Sequence, residues 1–232
     1  DVYLPAREGR YPVVLVRTAY NRTNYFDGYF PARDIAYVVQ DCRGRYEADG
    51  HHYPFIYEAD DGQDTLEWLK AQPWCNGRIG MVGDSYLAAT QLFLAPVADA
   101  SLVALNPGFM AGDCWKHAYY VDGVFSLALT WSWLCFECPA RVSQAALMPR
   151  FDVLDTLRHL PILTMDEAFG IAPVRAYRDY VSNNRYGPLW ERINVRRQAS
   201  GFRAPTLLTG GWYDNYAAET FDSYRALCDA AP

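Results

Sequence analysis

No run of lysine or arginine occurs anywhere in the 232 residues, and the formal net charge is −6. A chain without a basic patch lacks the electrostatic footprint for nucleic acid or an anionic membrane surface, so neither is an expected partner. Long apolar runs are missing as well. The longest, Val124 to Phe136, is interrupted by Ser126, Thr130 and Ser132 and is too short to span a bilayer. No secretory leader is evident; the chain opens at Asp1-Val2-Tyr3-Leu4-Pro5 as though in mid-strand, which leaves an upstream targeting segment open. The six cysteines lack the dense spacing of a disulfide scaffold. Cys42, Cys75 and Cys114 fall beside strands or loops, where buried free thiols are common. Cys135-Phe136-Glu137-Cys138 is a lone C-x-x-C, with no second pair and no adjacent histidine to complete a zinc or redox centre. A reducing, cytoplasmic location fits this usage. Histidine is scarce too: only His51, His52, His117 and His159 are present.

What is present is apolar residue in abundance, 51% of the chain, with 16% aromatic. That is enough for one large domain, or one domain carrying an inserted subdomain. Four stretches read as strands: Tyr11–Val16, Asp34–Val39, Ile79–Gly83 and Leu102–Gly108. Pro205–Gly211 reads as a fifth buried strand. Glu58 to Lys70 reads as a helix whose first-turn acids suit its dipole and form a solvated face rather than an acid/base pair. His51-His52 lies in a polar loop with no acidic cluster at ligand spacing, so it reads as solvated and no metal is expected. From about Ala111 to Arg197 strand runs vanish and aromatic-rich helical segments take over, including Trp115, Tyr119, Phe125, Trp131, Trp133 and Phe136.

The stretch Ile79-Gly80-Met81-Val82-Gly83-Asp84-Ser85-Tyr86-Leu87-Ala88 reads as strand, tight turn, helix start. A serine at such a turn is lifted out at the strand's carboxyl end with helix N–H groups behind it, the placement of a hydrolase nucleophile. Equally, Ser85 could cap the helix. The general pattern wants a second glycine at position 87, which here is Leu87. Trp212-Tyr213-Asp214 follows the last strand. Asp214 is thus either the acid that orients a histidine or the start of an Asx turn.

Four pieces in order, Gln40-Asp41-Cys42-Arg43-Gly44, Pro73-Trp74-Cys75-Asn76-Gly77, Gly83-Asp84-Ser85-Tyr86 and Gly210-Gly211-Trp212-Tyr213-Asp214, resemble the cocaine-esterase and X-Pro dipeptidyl-peptidase group of α/β-hydrolases. That group also holds α-amino-acid ester hydrolases and cephalosporin acylases. Its serine motif carries glycine three residues after the serine, where this chain has Ala88. The resemblance implies a mostly parallel α/β-hydrolase sheet with a helical cap inserted into it: core residues 1–110 and 198–232, cap 111–197, with the final strand and a C-terminal jelly roll absent. It further implies Ser85 as nucleophile, the Tyr86 N–H and Tyr20 hydroxyl as oxyanion donors, and Asp214 as the orienting acid. Asp41 and Arg43 fix a loop at the rim. Alone, Tyr20 reads rather as a half-buried loop aromatic; beside the other motifs it reads as the oxyanion donor.

The activity so implied is a serine hydrolase of the acyl-esterase or X-Pro dipeptidyl-peptidase type. It would cleave a small-molecule ester or amide through an acyl-enzyme, with no cofactor, and homo-oligomer formation is left open. The resemblance places the base histidine after one more strand, whereas all four histidines here precede Asp214. The chain therefore reads as truncated at both ends. The alternative is a catalytically silent binding or scaffold protein on the hydrolase fold. Assayed on a p-nitrophenyl acyl ester beside a longer parent, the 232-residue chain should be slower by several orders of magnitude, because the serine lacks its base. Comparable turnover that His117→Ala or His159→Ala abolishes would instead put the base in the cap.

Overall fold

Four runs, each carrying valine among other apolar residues, form the parallel part of a five-stranded sheet: β2 (Tyr11–Thr18), β3 (Ala36–Asp41), β4 (Cys75–Asp84) and β5 (Leu102–Gly108). The two-residue β1 (Val2–Tyr3) pairs antiparallel with β3, giving the order β1-β3-β2-β4-β5. The structure is a computed structural model and describes residues 1–139 and 141–231; Pro232, the last residue of the expected second core segment, lies outside the described residues. Register is set by apolar pairs: Leu15 opposes Val38 on one side and Met81 on the other, and Gly83 opposes Pro107. With apolar side chains on both faces, such strands need cover on both sides.

Two helices supply part of that cover. The helix α1 (Glu58–Lys70) places Leu66 and Leu69 in one core with Val13, Leu15, Val38, Ile79, Met81 and Leu105. The helix α2 (Tyr86–Leu94) is buried at every position, as expected for a helix that is apolar all round. One side of it meets this sheet core. Its Tyr86, Ala89, Leu92 and Phe93 enter a second, aromatic core with Tyr119, Trp131, Phe136, Tyr177, Tyr180 and Trp190. That second core is built from short helices and turns between 111 and 201, plus a small antiparallel hairpin, β6 (Tyr120–Val121) and β7 (Val124–Phe125). The hairpin corrects the expectation that strands vanish here: Gly123 at φ 83° lets the chain reverse within two residues.

The Pro205–Gly211 segment departs from expectation. It lies parallel to β5 but only through bridges at Thr206 and Thr209, with Leu207 67% exposed. β5 is its sole sheet neighbour among the described residues, so alternate side chains face outward instead of into a core. All six cysteines are free; five are buried and Cys228 is exposed. No helix among the described residues is long and apolar enough to cross a membrane.

A partly buried ion network ties the helix Ala217–Ala230 to the aromatic layer. Arg196 reaches Asp113 at 2.9 Å, Asp222 at 3.1 Å and Glu219 at 3.2 Å. His117 Nε2 stands 3.2 Å from Glu219 and 3.4 Å from Asp222. Donor atoms of His117, Glu219 and Asp222 fall within 4.8 Å of one another, a spacing a metal could use. Arg196 and Lys116, however, already supply positive charge to these carboxylates. Burial pushes Glu219 from 4.5 up to about 7, against the pull of Arg196. The folded chain thus holds a proton that the unfolded chain releases, and this contribution to stability is lost as pH rises from about 4.5 through about 7. Glu219→Gln should therefore make the slope of unfolding free energy against pH more positive between pH 5 and 7, by at most about 3 kcal/mol in total. Urea titrations at three pH values measure it. An unchanged slope would mean that Glu219 is ionised in the fold throughout.

Candidate active site

One residue separates the end of β4 at Asp84 from the start of α2 at Tyr86, and that residue must turn the chain. Ser85 does so at φ 57° and ψ −123°, a region that residues bearing a Cβ rarely occupy. Its N–H is held by the carbonyl of Gly108 at 2.9 Å. Gly83 sits at φ 132°, and a Cβ there would stand 2.6 Å from the Leu87 Cβ. The space beside Gly83 is thus filled by the very leucine that replaces the second glycine of the general pattern. The Ser85 side chain makes no capping hydrogen bond, so the helix-capping alternative does not describe this hydroxyl.

Its partner is Tyr20. The two hydroxyl oxygens are 3.0 Å apart, brought together by the ends of the neighbouring parallel strands β2 and β4. On its other side the Tyr20 oxygen accepts the Trp133 indole N–H at 3.2 Å. An indole only donates, so the phenol oxygen is the acceptor there and its own proton stays available to the Ser85 side. Burial pushes Tyr20 up to about 12, while the hydrogen bonds to Ser85 and Trp133 pull the other way. The phenol therefore stays neutral, a donor, over any ordinary working pH.

Tyr86 contributes its main chain and its side chain differently. Its N–H belongs to the first turn of α2, where helix donors lack intrahelical acceptors. Its side chain is buried, donates to Glu58 Oε1 at 2.7 Å and accepts the Phe55 N–H at 3.1 Å. Its ring stacks against Phe55 and Trp133 at 5.2 and 6.0 Å. Glu58 corrects the expectation of a solvated acidic face: it is 3% exposed and pairs with Arg17 at 3.0 Å. The cause lies in β2, where Arg17 is a cation inside a buried strand and needs an anion.

Asp214 sits in a turn closed by backbone bonds, its N–H to the Gly211 carbonyl at 3.1 Å and the Ala217 N–H to its own carbonyl at 3.1 Å. Its Oδ2 is buried without a hydrogen-bond partner. None of the four histidines is on Ser85 or Asp214. His117 belongs to the Arg196 network, His159 packs edge-on against Phe169, and His51 is exposed. His52 lies 5.8 Å from the Tyr86 ring, with Nε2 buried and unpartnered. Burial, aided by nearby Arg45, pushes it down to about 3. The solvated reading of His52 is therefore corrected, because the turn at Gly44 folds the loop inward. Asp41 accepts both the Arg22 N–H at 2.8 Å and its guanidinium at 2.7 Å, and Arg43 pairs with Asp61, so both residues fix loops.

Ser85 opens on a cavity of about 210 Å³ lined by Phe55, Tyr86, Met110, Ala118, Tyr119, Leu129, Trp133, Asn215 and Tyr216, none of them charged. A wider cleft of about 320 Å³ is lined by Arg17, Gln40, Asp41, Arg43, Asp61 and Asp64. Its Arg43 is paired with Asp61 and its Asp41 with Arg22, so these side chains are held as loop-fixing ion pairs. The cavity at Ser85 is the better candidate.

Residues 1–231 match the X-Pro dipeptidyl-peptidase (S15 family) domain. The chain belongs to that family. Among curated proteins it is 27% identical over 256 residues to the cocaine esterase of Rhodococcus sp. (strain MB1 Bresler), covering 100% of this chain and 44% of that one. Among solved structures it resembles an α-amino acid ester hydrolase, with a TM-score of 0.80, 19% identity, and 98% of this chain on 42% of that one. It also resembles an aminopeptidase from a marine-sediment Thaumarchaeota archaeon, with a TM-score of 0.79, 20% identity, and 100% of this chain on 43% of that one. These likenesses show the α/β-hydrolase fold. The S15-family chain spans less than half the length of each of these relatives.

Two side chains at the site escaped the sequence reading. Trp133 is one of several aromatics between 111 and 197, and only its neighbour across the fold distinguishes it. Glu58 had a signal, the lone arginine in the apolar Tyr11–Thr18 run. For hydrolysis of an aryl ester by the full-length protein, Tyr20→Phe should lower kcat by on the order of 10²-fold with KM little changed. Trp133→Phe removes the indole N–H together with the five-membered ring that carries it, so it should cost about tenfold or more, a neutral hydrogen bond plus the lost packing. Wild-type kcat in Tyr20→Phe would make Tyr20 a packing aromatic.

Proposed function

We propose that this S15-family chain carries the nucleophilic half of a serine hydrolase that cleaves esters of small apolar acids through an acyl-enzyme. The observation that carries the reading is Ser85 at φ 57°, its Oγ 3.0 Å from the Tyr20 hydroxyl at the mouth of an uncharged cavity. Ser85 Oγ attacks the acyl carbon as its proton passes to an imidazole. The Tyr86 N–H and the Tyr20 O–H hold the oxyanion; the tetrahedral intermediate collapses, and the alcohol leaves with that proton. Water then repeats the sequence on the acyl-enzyme. The buried, unpartnered Oδ2 of Asp214 is the acceptor that would orient the imidazole. Because this chain's own histidines lie elsewhere, the base is assigned to sequence outside these residues.

The cavity lining argues for the acyl class. An apolar cavity of about 150 Å³ suffices for benzene, so about 210 Å³ accommodates an aromatic or branched acyl group. An X-Pro peptidase or amino-ester hydrolase must pair a substrate ammonium, and no carboxylate among the described residues lines this cavity. Ala88, fully buried, supplies none from α2 either. A silent scaffold accounts less well for the site, since it has no use for a strained serine facing an oxyanion-type donor.

In the full-length protein a fluorophosphonate probe should label Ser85 alone, and a p-nitrophenyl benzoate should be turned over with kcat/KM at least about tenfold above an α-amino-acyl ester, the loss expected when a charge is desolvated unpaired. Labelling that survives Ser85→Ala refutes the nucleophile, and preference for the amino ester refutes the acyl class.

A further inference from the structure

The Arg17–Glu58 pair lies outside the reacting groups, yet it ends on one of them. Arg17 Nη2 meets Glu58 Oε2 at 3.0 Å, and Arg17 Nη1 donates to the Glu58 carbonyl at 2.9 Å. Both side chains are at most 3% exposed. With Oε2 taken by the guanidinium, Oε1 is the oxygen left for Tyr86, whose hydroxyl donates to it at 2.7 Å. The same hydroxyl accepts the Phe55 N–H, so it is held from two elements at once. Phe55 itself sits at φ 69°, a second strained residue in contact with the Tyr86 ring.

We infer that Glu58 is a positioning residue for catalysis, acting through the Tyr86 hydroxyl to fix the main chain that follows Ser85 and so to aim the oxyanion-hole N–H. This rests on the reading of Ser85 as nucleophile. Tyr86 is the first residue of α2, and its backbone shares a peptide with the strained Ser85. A strained φ persists only where its surroundings over-determine it. Rotating Tyr86 to relieve Ser85 would pull its hydroxyl off a buried carboxylate that cannot follow, because Arg17 clamps it inside β2. Arg17 is thus the anchor, Glu58 the rigid acceptor and the Tyr86 ring the lever. A loosened N–H would be felt in the transition state, where charge develops on the oxyanion, and little in ground-state binding.

The test is a double-mutant cycle on ester hydrolysis by the full-length protein, run well below the melting temperature of each variant. Ser85→Ala comes first: if it hydrolyses as wild type, the nucleophile reading fails and the cycle is moot for catalysis. With Ser85 upheld, Tyr86→Phe, which keeps ring and backbone, should lower kcat about tenfold with KM within twofold. Glu58→Gln should do the same, and the double variant should be no slower than the worse single, because both remove one linkage. Losses in kcat that multiply in the double variant, or Tyr86→Phe with wild-type kcat, would overturn the inference and leave Glu58 a structural counter-ion. If Glu58→Gln fails to fold, Tyr86→Phe decides alone.

Discussion

A residue bearing a Cβ and held at φ 57°, ψ −123° costs on the order of 1–3 kcal/mol, and it stays there only if relaxing it costs more. The structure around Ser85 is organised by that constraint. β5 holds its N–H from one side through Gly108. Gly83 supplies the φ of 132° that no L side chain favours, and Leu87 fills the room its missing Cβ leaves. Behind the turn, α2 is buried on every face, so the helix cannot tilt to absorb the strain. The buried pair of Arg17 and Glu58 is poor evidence for stability, since desolvation offsets most of such a pair's attraction. It specifies one position for Tyr86, which an apolar contact would not do as sharply.

Polar and apolar parts divide the labour in a consistent way. Where the sheet ends, charge is used in closed groups: Arg17 with Glu58, Arg22 with Asp41, and Arg43 with Asp61. Over the far side of α2 the packing is aromatic, with Trp133 lying parallel to Phe55 at 5.6 Å and Tyr180 against Tyr119 at 4.7 Å. The two kinds of packing meet at Tyr86, which offers its ring to the aromatic layer and its hydroxyl to Glu58, while the Tyr20 hydroxyl links the Trp133 indole to Ser85. An uncharged cavity beside fixed dipoles follows from this meeting, and in such a low-dielectric place an aimed O–H or N–H is worth more than in water.

Much of this was legible in the sequence, and the failures have physical causes. The parallel strands announced themselves as continuous apolar runs, and the turn at Ser85 as glycine, serine and small residues between strand and helix. Glu58 was misread because helix-dipole reasoning assigns first-turn acids to solvent, whereas Arg17 shows that one acid had to go inward. The Pro205–Gly211 run was apolar enough to suggest burial, but burial depends on having partners on both sides, which a pattern of residues cannot report. Trp133 could be read as an aromatic and no more, since its N–H finds Tyr20 across 113 positions of chain.

Asp214 closes the argument about the site's chemistry. A buried acceptor left without a donor costs about 1–3 kcal/mol, and Oδ2 of Asp214 is such an acceptor beside the cavity residues Asn215 and Tyr216. Lysine or arginine could satisfy it, but either would bring a fixed charge into a cavity otherwise lined by neutral groups. An imidazole N–H satisfies the same oxygen while staying neutral, and its second nitrogen can take the Ser85 proton. On the proposed reading, one group therefore removes two deficits together, the unpaired carboxylate and the missing base. On that proposal the strained serine and the orphaned carboxylate serve a single mechanism, with the imidazole as its third member.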